Sequence, residues 1–177
     1  MRLLAAPLTI WLILIDQMAV AFYVFLAAGV SDAVDGFLAR RLGVTSDLGA
    51  ILDGLADKVL LVCIYVTLGV HGALPVWLAI LVITRDVLIV GAVLLSYTLG
   101  PAIALHPLII SKVNTMAQIT LAALVLASLG FGLGMEWLVS GLVYVVAATT
   151  ITSGASYMIA WIRTAGTMEK EALEKER

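Results

Sequence analysis

The chain has 177 residues, 63% of them apolar and 12% charged, with a mean hydropathy of +1.13. That composition excludes an ordinary soluble domain and predicts an all-α, polytopic membrane bundle. A formal charge of −2 says little, because its distribution matters more than its sum; no nucleic-acid partner is expected, and a single cysteine, Cys63, excludes an intramolecular disulfide.

Neither a cleavable signal peptide nor an Arg/Ser-rich transit sequence opens the chain, which predicts direct insertion into a bacterial inner membrane. Six apolar segments follow: Leu3–Ile15, Met18–Leu38, Leu48–Val70, Leu74–Leu99, Pro107–Leu129 and Trp137–Ile162. All but the first reach the ~20 residues that a spanning helix needs. The first predicts a short, tilted helix, or one completed by residues upstream.

Basic residues set the orientation. Arg2, Arg40, Arg41, Lys112, Arg163, Lys170, Lys175 and Arg177 fall at one set of segment ends, and the connections around Asp16, His71 and Glu136 contain neither lysine nor arginine. Six spans with both termini cytoplasmic satisfy the positive-inside rule, with Trp77 and Trp137 at the outer interface and Trp161 at the inner one. Residues 1–164 form the membrane domain and 165–177 a charged, helix-prone cytoplasmic tail. GFGLG at 130–134 reads as a helix end, and His71 and His106 lack metal-type spacing.

The chemistry concentrates between Ser31 and Leu60, where Asp32, Asp35, Asp53 and Asp57 stand in otherwise apolar helices. Each charge at a bilayer centre costs roughly 2.5–3.5 kcal/mol, so four would cost about 10 kcal/mol unless paired. Too few cations are nearby, which points to bound metal. At 100° per residue Asp32, Asp35, Gly36, Ala39 and Arg40 share one side of the second segment. Gly49, Asp53 and Asp57, each four apart, make a stripe on the third. All-oxygen ligands suit Mg²⁺, Mn²⁺ or Ca²⁺ better than zinc. The small residues leave room for a bulky ligand, and Arg40 offers a bidentate donor to phosphate.

These eight positions, spread over 26 residues, reproduce the signature of the CDP-alcohol phosphatidyltransferases, which the chain resembles over nearly its whole length. The resemblance implies that Asp32, Asp35, Asp53 and Asp57 hold one or two divalent metals, Mg²⁺ or Mn²⁺. It also implies that Asp57 is the general base toward an acceptor hydroxyl. Asp35, Gly36, Ala39, Arg40 and Gly49 would bind the nucleotide and diphosphate of a CDP-alcohol, CMP would leave, and the enzyme would be a homodimer. Family members usually carry a short amphipathic segment with an Asn and a Thr upstream of an Arg; here only Arg2 corresponds.

Polar residues further along bear on the acceptor. Arg85-Asp86 in the fourth segment is either a buried ion pair or, through Arg85, a phosphate ligand. Lys112, Asn114, Thr115 and Gln118, in ISKVNTMAQ, suit a phosphate pocket at the start of the fifth. The ISKVNT stretch resembles the eukaryotic-type, CMP-forming cardiolipin synthases. The related phosphatidylglycerophosphate synthases usually have a lysine where Asn114 stands. A phosphodiester carries less charge than a phosphomonoester, so asparagine tilts the expectation from glycerol 3-phosphate toward phosphatidylglycerol, with CDP-diacylglycerol as donor. An ion-coupled transporter is the alternative of another class, since it too places acids in spans.

Overall fold

In the computed structural model the backbone is described for residues 2–42, 47–99 and 109–175, and side chains for 5–31, 34, 58–91 and 110–159. The described residues form six helices and no strand. These are α1 (Arg2–Leu14), α2 (Met18–Leu42), α3 (Asp47–Val70), α4 (Val76–Leu99), α5 (Ile109–Phe131) and α6 (Glu136–Lys175). Each predicted apolar segment therefore becomes a helix. The sixth runs on without a break for 40 residues, about 60 Å at 1.5 Å per residue, through most of the charged tail.

The connections α1–α2, α3–α4 and α5–α6 are made by the same backbone device. Gln17 N–H donates to Leu12 C=O at 2.9 Å, Ala73 to Leu68 at 2.9 Å and Leu133 to Ser128 at 3.1 Å, each a bond reaching back five residues. Such a closure needs a left-handed residue just before its end. Gly72 (φ 79°) and Gly132 (φ 60°) supply it cheaply, and Asp16 (φ 57°) is the exception that does so with a side chain. Its carboxylate meets His71 Nε2 at 2.8 Å and joins two of the turns. We call this the turn end of the bundle.

Packing closes the helices into a ring in the order α1, α2, α5, α6, α4, α3, with α3 and α5 touching across it. α2 and α3 thus share two neighbours, α1 and α5. The core inside the ring is built from Ile13, Ile64, Tyr65, Leu68, Leu78, Val82, Leu121, Leu126 and Val146, all fully buried or nearly so. Tyr65 donates its hydroxyl to Gln118 C=O at 3.1 Å and fixes α3 against α5. At the turn end α5 meets α2 so closely that a Cβ on Gly130 would lie 2.6 Å from Ala19 N. Phe22, Tyr23 and Phe131 stack edge to face beside it.

Many large apolar side chains also face outward among the described residues. Trp11, Tyr23, Val70, Ile80, Val87, Trp137, Tyr144 and Ile151 are all exposed, a surface that water would not support. Among the described residues two helices, Ile110–Phe131 and Glu136–Ile159, are long and apolar enough to cross a membrane. The fold is that of a membrane protein.

Candidate active site

α2 carries Asp32, Asp35, Gly36, Ala39 and Arg40, and α3 carries Gly49, Asp53 and Asp57. The side chains of all eight lie outside the described residues, as do His106, Trp161 and the side chains of 165–177. Among the described residues no three His, Cys, Asp or Glu side chains gather. What the structure does describe is the polar layer that starts one residue beyond Asp57.

Lys58 Nζ lies 3.7 Å from Asp86 Oδ1, and the same oxygen accepts from Arg85 Nη1 at 2.6 Å. Arg85 and Asp86 are 4% and 7% exposed. Burial of a charge is tolerable only when it is paired and its hydrogen bonds are met. Its other terminal nitrogen is shared out too: Nη2 donates to Ser111 Oγ of α5 at 2.5 Å and to Ser153 Oγ of α6 at 2.7 Å. Gly154 packs beside the arginine stem, where a Cβ would make an ordinary van der Waals contact, 3.7 Å from Arg85 Cγ. One arginine therefore ties α4, α5 and α6 together. Lys58 and Arg85 thus both converge on Asp86, in a layer that begins one residue after Asp57 in sequence.

One turn along α5, Asn114 is completely buried. Its Oδ1 accepts from Thr149 Oγ1 at 2.8 Å and from Thr150 Oγ1 at 2.9 Å, both on α6. Thr115 turns its hydroxyl back to Ser111 C=O at 3.0 Å within its own helix. Lys112 is exposed. It stands two residues, about 200° of helical rotation, from Asn114. So Arg85 and Asn114 come together in one seam between α4, α5 and α6, and Lys112 lies off that seam.

Among the described residues three buried nitrogens find no acceptor: Arg85 Nε, Asn114 Nδ2 and Gln118 Nε2. A buried donor left unmet costs about 1–3 kcal/mol, so an acceptor oxygen supplied by water or a ligand would stabilise each of them. Beside the layer, a cleft of about 420 Å³ between α3 and α4 is lined by Lys58, Val59, Cys63, Asp86, Val87 and Gly91. Ser111, Ser153, Thr149, Thr150 and Lys58 were not legible as site residues. The signal on α6 is TTITSG at 149–154, where hydroxyl and small residues recur at three- and four-residue spacing on one helix face.

A ring of six helices, apolar outside and polar along one internal seam, with an aspartate series on two helices that share the neighbours α1 and α5, defines a membrane-embedded class. The family model for CDP-alcohol phosphatidyltransferase matches residues 1–165, and the chain belongs to that family. Among curated relatives it is similar to the fission-yeast (Schizosaccharomyces pombe) cardiolipin synthase (CMP-forming)/mitochondrial hydrolase fusion protein. There it is 40% identical over 173 residues, covering 89% of this chain and 29% of that protein. A chloroplastic CDP-diacylglycerol–glycerol-3-phosphate 3-phosphatidyltransferase of rice (Oryza sativa subsp. japonica) is 36% identical over 176 residues, 89% of this chain and 54% of its own length. The rat (Rattus norvegicus) cardiolipin synthase (CMP-forming) is 37% identical over 172 residues, 88% and 57% respectively. The chain thus spans between 29% and 57% of these three relatives.

Proposed function

We propose that this protein transfers a phosphatidyl group from CDP-diacylglycerol to a hydroxyl of phosphatidylglycerol, giving cardiolipin and CMP. The observation that carries the reading is the Asp32-to-Asp57 constellation on α2 and α3, two helices that both pack on α1 and α5. Two relatives named as cardiolipin synthases lend it support. Asn114, an uncharged amide, supports a phosphodiester acceptor over a phosphomonoester.

In this reading Asp32, Asp35, Asp53 and Asp57 would hold divalent metal, Mg²⁺ or Mn²⁺, and their all-oxygen donor set fits such a hard cation. Bound metal would neutralise the diphosphate and stabilise the departing phosphate. Asp35, Gly36, Ala39, Arg40 and Gly49 would seat the nucleotide and diphosphate. Asp57 takes the proton from the acceptor hydroxyl as its oxygen bonds to the β-phosphorus, and the bond from that phosphorus to CMP breaks. Arg85, Asn114 and Thr115 would face the acceptor's phosphate, with Lys112 at the approach.

The spans are six, with both termini and the aspartates on the cytoplasmic side of a bacterial inner membrane. The distribution of basic residues supports that orientation. A homodimer completes the proposal. The rice relative's name favours one other acceptor, glycerol 3-phosphate.

The test is purified protein in lipid with CDP-diacylglycerol and each acceptor, the products identified by mass. Cardiolipin should form in preference to phosphatidylglycerophosphate, should stop with chelator and return with Mg²⁺ or Mn²⁺. Asp57→Asn should lower the rate about 10²–10⁴-fold, the usual worth of a general base. A preference for glycerol 3-phosphate would replace the acceptor assignment; CMP release untouched by chelator would reject the metal.

A further inference from the structure

We infer that Thr150, assisted by Thr149, is a positioning residue that sets the direction of the Asn114 amide and thereby the affinity for the acceptor. This rests on the proposed transferase reading and goes beyond it by assigning a role to α6.

An asparagine side chain can present either its oxygen or its NH₂ to a ligand, and rotation by about 180° exchanges them. At Asn114 two hydroxyls of α6 converge on the oxygen, at 2.8 and 2.9 Å. The NH₂ is left as a fully buried donor with no acceptor among the described residues. A second unmet donor, Arg85 Nε, lies in the neighbouring layer of the same seam, whose Ser111 and Ser153 are three residues from Asn114 and Thr150. Both layers therefore offer N–H groups, and both suit the oxygens of a phosphodiester. Were the amide reversed, its oxygen would face those oxygens and repel them.

The two threonines are not equivalent. A hydroxyl has one proton to give. Thr149 Oγ1 lies near Val145 C=O at 3.0 Å and Val146 C=O at 3.1 Å as well as Asn114, so its proton has three acceptors to choose from. Thr150 is buried (1% exposed), and Asn114 Oδ1 is its side-chain partner. The main orienting bond is that of Thr150.

The experiment measures KM for both substrates, kcat and thermal unfolding in wild type, Thr150→Val, Thr149→Val, the double variant and Thr150→Ser. Losing one orienting hydrogen bond should raise KM for phosphatidylglycerol about 3- to 10-fold in Thr150→Val, less in Thr149→Val and most in the double variant. KM for CDP-diacylglycerol should stay within about twofold. Thr150→Ser keeps the hydroxyl and should restore the acceptor KM. Equal changes for both substrates, or a fall in unfolding temperature with acceptor KM unchanged, would overturn the role. Should Thr150→Val fail to fold, Thr149→Val and Thr150→Ser decide by the same readouts. A wild type that transfers to neither acceptor would bring down the transferase reading itself, and this assignment with it.

Discussion

The two halves of the bundle are held together in different currencies. At the turn end, backbone geometry does the work: three left-handed closures, a glycine at which two helices touch, and an aromatic trio. Around Arg85 and Asn114, side chains do it, through five hydrogen bonds that cross between helices or pair charges. Among the described residues the buried charged and amide side chains are Arg85, Asp86, Asn114 and Gln118, all on α4 and α5, whereas the Asp16–His71 pair of the turn end is exposed. The difference separates a scaffold from a site on one set of helices.

That separation predicts different kinds of damage. Arg85→Met removes the near partner of a buried carboxylate and should cost about 3 kcal/mol, toward the low side for broken buried pairs because Lys58 remains 3.7 Å from Asp86. The double variant Arg85→Met/Asp86→Leu should recover much of that stability and none of the transfer activity. Unfolding in detergent, read together with product formation, checks both. A double variant as unstable as the single would mean that the pair is part of the scaffold, and the contrast between the halves would blur.

Gly130→Ala addresses the other half. The added methyl would sit 2.6 Å from Ala19 N, a backbone atom that yields only if α2 and α5 move apart. Overpacking of this kind costs about 1–3 kcal/mol. The protein that does fold should keep its ratio of cardiolipin to phosphatidylglycerophosphate. A changed acceptor ratio would show that helix spacing at the turn end reaches the seam, against the division drawn above.

How much of this was legible follows from the same contrast. Hydropathy marked all six helices because each holds a long apolar run. Their ends moved by a few residues where backbone chemistry decides: α5 runs two residues past Leu129, to the closure at Gly132, and α4 begins after Pro75. Arg85, Asp86 and Asn114 stood out as costly groups in apolar runs. Thr149, Thr150 and Ser153 did not, because hydroxyls in apolar helices commonly bond their own i−4 carbonyl. Thr9, Thr67, Thr120 and Thr152 do that here. Which hydroxyls cross to a neighbour depends on how α6 is rotated against α5, a property of packing. Lys112 was grouped with Asn114 by nearness in sequence, whereas two residues of helix put them on nearly opposite sides.

The smallest expected effect is the one that best separates backbone from side-chain contributions at the turn end. Asp16 both adopts φ 57° and pairs with His71, but its side chain is 78% exposed and that of His71 32%. Exposed ion pairs contribute about 0–1 kcal/mol, whereas a non-glycine residue in the left-handed region costs roughly 1–2 kcal/mol. Asp16→Gly therefore loses the pair and gains backbone ease, and should leave stability within about 0.5 kcal/mol of wild type. Asp16→Ala loses the pair without that relief, and lacks the short polar side chain that suits Asp to this conformation. It should fall about 1 kcal/mol below Asp16→Gly. His71→Ala should also stay within about 0.5 kcal/mol of wild type. Were His71→Ala the more damaging of the two alanine variants, the ion pair rather than the left-handed turn would be holding this end together.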